Sequence, residues 1–324
     1  MTLTLRSASP LRIGLGLAAV GRPGYITLGR QSDLPEIRST EALRERAFEL
    51  MDAAYAHGVR YIDAARSYGL AEAYLAQWLD VRPEVQDVVV GSKWGYTYTA
   101  DWRIVADVHE VKDHSVAAYR RQLAETRALL GTRLNLYQIH SVTPDSPALS
   151  DSALHEELAR LSAEGVTIGL STSGPHQADI IRAALTVTVG GRPLFGCVQT
   201  TYNLLERSAG SALAEAHAAG CSVIVKEALA NGRLTPSHLA TPELNAVREI
   251  ARQTGTSCDA VALAAITAQP WADIVLSGAA TVDQLTSNLS ATRTHLSPEQ
   301  LERLAALSEP ADAYWAQRSK LDWT

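Results

Sequence analysis

Four side chains able to handle a proton stand at the ends of three consecutive apolar runs. The run from Val59 to Ile62 delivers Asp63 and, five residues later, Tyr68; the run from Val88 to Ser92 delivers Lys93; the run from Leu134 to Ile139 delivers His140. A tyrosine with an ordinary pKa of ~10 is a weak donor at neutral pH, and a neighbouring ammonium eases its proton release. Lys93 is expected to supply that charge, Asp63 to hold Lys93 in place, and a neutral His140 to orient a carbonyl oxygen. Such a set polarises a C=O bond while another group brings hydride. Taken singly, each residue has an ordinary explanation: a helix cap for Asp63, a loop aromatic for Tyr68, a solvated amine for Lys93, a satisfied core histidine for His140. Only their convergence makes a site.

Convergence needs a fold that gathers strand ends, and the rest of the chain alternates in the way that builds one. A glycine-containing strand at Leu11–Ala19 precedes a loop at Gly21–Asp33 with Gly and Pro turn signals, then a helix running from an N-cap at Thr40 to Gly58. Helical periodicity returns at 72–79, 115–130, 151–163, 177–185, 211–219, 242–268 with a break near Gly255, 282–291 and 297–307. Strand-like runs fall between them at 85–92, 134–139, 166–170, 194–200, 222–225 and 274–276. Gly58, Gly131, Gly165 and Gly220 each end a helix just before an apolar run, the place where a left-handed C′ residue is wanted. Eight such units without a composition break predict an α/β fold, a single-domain (β/α)8 TIM barrel with an extra C-terminal helix and tail; 1–10 and 310–324 are expected to be loose or loop-like. An open doubly wound sheet is the alternative, but the Gly14, Gly16, Gly21 spacing does not match its fingerprint.

Composition excludes several partners. The 324 residues are 46% hydrophobic and 20% charged, enough for a large core, and the net charge of −6 comes with no basic cluster. Nucleic acid and anionic membrane are therefore poor candidates. Cys197, Cys221 and Cys258 are odd in number and contain no CxxC, which suits reduced thiols in a cytoplasm. The apolar run Leu15–Val20 is too short to span a membrane. His109, Asp113 and His114 lack metal-ligand spacing, so no metal is expected. Trp94, Tyr96, Tyr98 and Trp102 serve equally as a substrate wall or as packing.

From about Arg12 to Glu309 the chain resembles the aldo-keto reductases. The resemblance is carried by Gly-Val-Arg-Tyr-Ile-Asp-Ala-Ala-Arg-Ser-Tyr-Gly at 58–69, Gly-Ser-Lys-Trp-Gly at 91–95 and Tyr-Gln-Ile-His at 137–140. It implies a (β/α)8 barrel, NADPH-dependent reduction of an aldehyde or ketone (or oxidation of the corresponding alcohol or sugar), Tyr68 as acid, Lys93 and Asp63 as its modulators, and His140 as orienter. It further implies that Ser171, Thr172 and Gln199 meet the nicotinamide carboxamide, although Thr172 stands where asparagine is common. Lys226 takes a place where an aromatic ring often stacks on nicotinamide, and its stem can cover that ring less rigidly. Leu229, Asn231, Gly232 and Leu234 match the pyrophosphate strap, and Gly278, Gln284 and Asn288 the adenosine end. No Lys or Arg follows Gly278 until Arg293, so NADP(H) is expected to be preferred only modestly, with NAD(H) possible; a strong preference would require Arg233 or Arg293 to reach the 2′-phosphate. Two other functions compete: a Schiff-base aldolase using Lys93, and a cofactor-binding regulatory or sensing subunit with little turnover.

Overall fold

The computed structural model describes residues 5, 9–238 and 241–324. Its frame is a closed parallel barrel of β1 (Ile13–Gly16), β2 (Tyr61–Asp63), β3 (Val89–Trp94), β6 (Leu134–Val142), β7 (Thr167–Thr172), β10 (Cys197–Thr201), β11 (Ser222–Lys226) and β12 (Ile274–Ser277). Around the ring the order is β1, β12, β11, β10, β7, β6, β3, β2. These strands are buried on both faces, which explains why they read as nearly continuous apolar runs rather than alternating ones.

Alternation still decides which way each side chain points. Tyr61, Val89, Leu136, Cys197, Ile224, Ile274 and Leu276 form an interior cluster with Leu5, whereas Ile62, Val90, Tyr137, Leu170, Val198, Val223 and Val275 join the large cluster under the helices. Glycine makes room for the bulkiest interior side chain: a Cβ on Gly91 would lie 2.3 Å from the Tyr61 hydroxyl. The lead-in expected to be loose therefore contributes a buried side chain at Leu5, and the rest of 1–8 lies outside the described residues.

Helix α1 (Thr40–Ala56) buries Leu43, Ala47, Leu50, Met51 and Ala54, a stripe at helical spacing, and ends before Gly58 at φ +88°. Its cap is Ser39, not Thr40: the Ser39 side chain accepts from the Ala42 amide at 3.1 Å. Helices α2 (Ala71–Asp80), α3 (Val116–Leu130), α4 (Ser152–Ala163), α5 (Gln177–Thr186) and α6 (Gly210–Ala218) follow. The 242–268 region splits at left-handed Gly255 into α7 (Asn245–Thr254) and α8 (Cys258–Thr267), before α9 (Val282–Leu289) and α10 (Pro298–Ala305).

Three segments depart from the sequence reading. The loop after Lys93 contains a hairpin of β4 (Tyr96–Tyr98) and β5 (Glu110–Lys112). A second hairpin, β8 (Thr188–Val189) with β9 (Arg192–Pro193), turns at Gly190 and Gly191, so the following barrel strand starts at Cys197 rather than Leu194. The tail is not loop-like: α11 (Ala311–Arg318) buries Tyr314 and Trp315 in a cluster with Leu234, Val247, Ile250 and Leu304.

Candidate active site

Asp63, Lys93 and His140 all fall on inward positions of their strands, because each is an even number of residues from the interior members Tyr61, Val89 and Leu136. Asp63 is bound from three sides. Its Oδ2 accepts from the Lys93 ammonium, and its Oδ1 from the Tyr61 hydroxyl at 3.1 Å and Gln199 Nε2 at 2.8 Å. Lys93 also donates to the Ala64 carbonyl at 2.8 Å and has no solvent exposure. An amine committed in this way is not free to attack a carbonyl, which removes the support for a Schiff-base aldolase at Lys93.

Tyr68 hangs over this pair from the loop after β2. The Lys93 ammonium lies 4.7 Å from its ring centroid, and His140 meets it edge-on at 5.5 Å. Burial and the Asp63 carboxylate push the Tyr68 hydroxyl well above its ordinary pKa, and Arg22 pulls it the other way. The net direction is upward because removal from water and the nearby carboxylate outweigh the cation Arg22. The phenol stays protonated at neutral pH. His140 stays neutral, since burial and then the cations Lys93, Lys226 and Arg22 hold it well below the ordinary histidine range. Immediately after it, Ser141 takes a left-handed conformation (φ +52°) where the β6–β7 register shifts, and its amide donates to Ser171 Oγ at 2.8 Å.

A cavity of about 390 Å³ opens at the C-terminal ends of these strands, where barrel sites sit. Asp63, Tyr68, Gln199, Lys226, Leu229, Asn231, Gly232, Gly278, Gln284 and Asn288 all line it. A larger hollow of about 520 Å³, near Gly165, Leu194 and Cys221, lies at the opposite end of the barrel, away from the tetrad. Three expected cofactor residues do not reach the wall. Ser171 points inward but is fully buried; Thr172 is one residue on and therefore faces the helices, bonded to Gln177 Oε1 at 3.3 Å and Thr200 Oγ1 at 3.0 Å; Leu234 packs into the cluster under α11. Arg233 is paired with Glu309, and Arg293 is exposed on the last turn of a 3-10 segment.

The lining suits a dinucleotide at both ends. Gln199 spends its amide nitrogen on Asp63, leaving Oε1 buried with no hydrogen-bond partner among the described residues, an acceptor for a carboxamide. At the far end Asn288 is held by Ser277 Oγ and Asp259 Oδ2, both at 2.7 Å, so its amide is not free to read a base. Asp259 Oδ1 is instead the buried acceptor without a partner there, suited to an exocyclic amine.

Several residues on or just behind the wall escaped the sequence reading. Arg22, 2% exposed, donates to the Ser67 carbonyl at 2.7 Å and to Glu110 at 2.6 Å, and stacks near Tyr68, Tyr25 and Trp323. A lone arginine between glycine and proline in a loop that follows a barrel strand was the available signal. Glu227, in a left-handed conformation (φ +54°), is tied to Arg318 of α11 and is held down to about 2, chiefly by that guanidinium and Lys226 against the cost of burial. The segment from Tyr25 to Asp33 closes one side of the cavity: Leu28 and Ile26 bond Asn231, and Gly232 has no room for a Cβ, which would lie 2.8 Å from the Leu28 carbonyl oxygen. Trp94, by contrast, is fully buried against Tyr119 and His114, while Tyr96 faces His140 at 5.1 Å. His109 stacks on Trp323, and His114 bonds Ser146 and the His140 carbonyl.

Comparison with known proteins agrees with this architecture. The model of the aldo/keto reductase family matches residues 12–309. Protein tas of Escherichia coli is 25% identical over 307 residues, covering 80% of this chain and 88% of that one. Among solved structures, the holo form of aldo-keto reductase AKR11C1 from Bacillus halodurans superposes with a TM-score of 0.68 at 21% identity, covering 93% of each chain. An aldo-keto reductase from Klebsiella pneumoniae in complex with NADPH gives 0.65 at 21% identity, covering 91% of this chain and 90% of that one.

Proposed function

The chain belongs to the aldo/keto reductase family, and we propose that it reduces a small aldehyde or ketone, or oxidises the matching alcohol or sugar, with a nicotinamide dinucleotide as redox partner. The observation that carries this reading is the meeting of Asp63, Tyr68 and Gln199 on one cavity wall, with the Lys93–Asp63 pair sealed behind it. When bound, the reduced cofactor supplies a hydride, with its electron pair, to the carbonyl carbon. Tyr68 supplies the proton to the carbonyl oxygen, so an alcohol and an oxidised nicotinamide result. Its raised pKa keeps that proton in place until negative charge develops on the substrate oxygen.

The other residues prepare that moment. Lys93 and Asp63 fix a local field beneath the phenol, and neutral His140 offers a hydrogen bond that orients the oxygen. Gln199 is assigned to the carboxamide, the wall from Leu229 to Gly232 to the pyrophosphate, and Gly278, Gln284 and Asp259 to the adenosine. NADP(H) and NAD(H) are both admitted, with the first favoured modestly. Purified protein should oxidise NADPH or NADH in the presence of at least one member of a panel of aldehydes, ketones and sugars, or reduce NADP+ or NAD+ with alcohols. Loss of that activity in Tyr68→Phe supports the reading, and a fully active Tyr68→Phe overturns it.

A further inference from the structure

Lys226 ends β11 on an inward position, two residues beyond the interior Ile224, and lines the cavity together with Asp63, Tyr68 and Gln199. Hydride must reach a carbon whose oxygen touches Tyr68, so the nicotinamide ring belongs at this end of the cavity. The Lys226 ammonium does not swing freely: it is 14% exposed and donates to Thr201 Oγ1 at 2.7 Å.

The charges facing it are mostly spoken for. Glu227 Oε1 is 3.9 Å away but is bound by Arg318, and the Thr201 hydroxyl donates to the same carboxylate at 2.9 Å. Asp63 is matched by Lys93, and Arg22 by Glu110. Tyr25 and Tyr68 are kept protonated by burial, and His140 is kept neutral. Among the described residues at this end, Lys226 is thus the cation in excess of the carboxylates.

We propose that Lys226 makes the cavity discriminate between the two redox forms of nicotinamide, favouring the reduced, uncharged ring over the oxidised, cationic one. The inference rests on the functional reading above and deepens it: the site loads the reduced dinucleotide in preference and releases the oxidised one, at the expense of making the bound ring a weaker hydride donor. A reduced ring meets the ammonium as a neutral partner, whereas a pyridinium meets it as a like charge. The two forms share every phosphate, ribose and adenine contact, so those contributions cancel in the ratio of their dissociation constants. With the screening typical of a protein site, one unit charge several ångströms from another shifts that ratio by roughly 10- to 100-fold. Burial lowers the amine to about 8, so the charge is present at pH 7 and fades above pH 8.

The test is direct binding, followed by quenching of protein fluorescence. NADPH, NADP+, NADH and NAD+ are titrated into wild type, Lys226→Met and Lys226→Arg, each first checked for an unchanged thermal transition. Wild type should bind each reduced form at least about 10-fold more tightly than its oxidised partner. Lys226→Met should bring the ratio to within about threefold, mainly by tightening the oxidised form, and Lys226→Arg, which keeps the charge, should preserve it. At pH 9 the wild-type ratio should shrink and the Lys226→Met ratio should not. Equal weakening of both forms in Lys226→Met makes Lys226 an ordinary polar contact and overturns the proposal, as does a ratio that does not move. A wild type that binds all four dinucleotides without discrimination overturns the proposal alone; one that binds none overturns the functional reading with it.

Discussion

Replacing Lys93 with methionine removes one half of a buried ion pair and leaves the other half where it is. The side chains of Lys93 and Asp63 are 0% and 3% exposed, so water cannot take over the missing partner. Asp63 keeps two neutral donors, Tyr61 and Gln199, but no counter-charge. Breaking such a pair from one side typically costs about 3 to 5 kcal/mol, because the remaining charge is stranded. The unfolding entropy of ~2.1 cal/mol/K per residue gives ~0.7 kcal/mol/K for a chain of this length, so the melting temperature should fall by roughly 4 to 7 °C. Adding Asp63→Asn to Lys93→Met should recover most of that loss, since a neutral amide needs no cation, while leaving catalysis impaired. Thermal melts of wild type, both single variants and the double variant decide it by the coupling between the two positions. If Lys93→Met melts with wild type, or if the double variant is no more stable than the single one, the pair is not the stabilising unit described here.

Tyr68→Phe should lose about 100- to 10,000-fold in kcat with little change in dinucleotide affinity, measured by steady-state kinetics beside fluorescence titration. Because burial and Asp63 keep the Tyr68 phenol proton bound, and His140 is neutral throughout, carbonyl reduction at saturating cofactor should show no loss of rate attributable to either group between pH 7 and 9; a limb there tracing to Tyr68 or His140 in their variants would refute these assignments. Glu227 is held down to about 2, below an unfolded carboxylate at ~4.3, so its contribution is present above that value and lost as pH falls through about 2. Arg318→Met should weaken that acid-side dependence, leaving the part due to Lys226 and Thr201, and lower stability at pH 7, read from denaturant midpoints across pH. Gly232→Ala should weaken dinucleotide binding more than it lowers the melting temperature, since a residue at φ +95° facing the Leu28 carbonyl can be accommodated only by displacing the segment that closes the cavity; equal affinity in the variant would show that this segment does not shape the site.

Much of this was legible from the sequence because the barrel repeats one physical rule. C′ glycines at 58, 131, 165 and 220, each followed by an apolar run, marked the strand entries, and the polar residue closing such a run marked the mouth. Strand parity goes further than motif matching: it separates inward Ser171 from outward Thr172, so the second never had access to the cavity. What stayed hidden depends on contacts between distant segments. Nothing near Glu227 announces Arg318, 91 residues away, and nothing in the tail announces Trp323 stacked on His109 or the bridge between Thr324 and Tyr25. The β4–β5 hairpin was missed because its strands are three residues each and half-exposed, leaving too little periodicity to read. Composition described the Tyr68 environment by its nearest formal charge, whereas the degree of burial, which only the folded chain fixes, sets the sign.

The floor of the barrel also governs its hydration. Leu5 belongs to no barrel strand, yet it packs at 1% exposure in one cluster with Val89, Leu136, Ile274 and Tyr61, whose hydroxyl reaches Asp63. It acts as a stopper. Without it, a column of water could climb past Tyr61 to the ion pair and raise the local dielectric. The attraction between Lys93 and Asp63 would then weaken from below, with every residue at the mouth untouched. The chemical character of the catalytic end is therefore partly set at the opposite pole, by a side chain that arrives before the first strand begins.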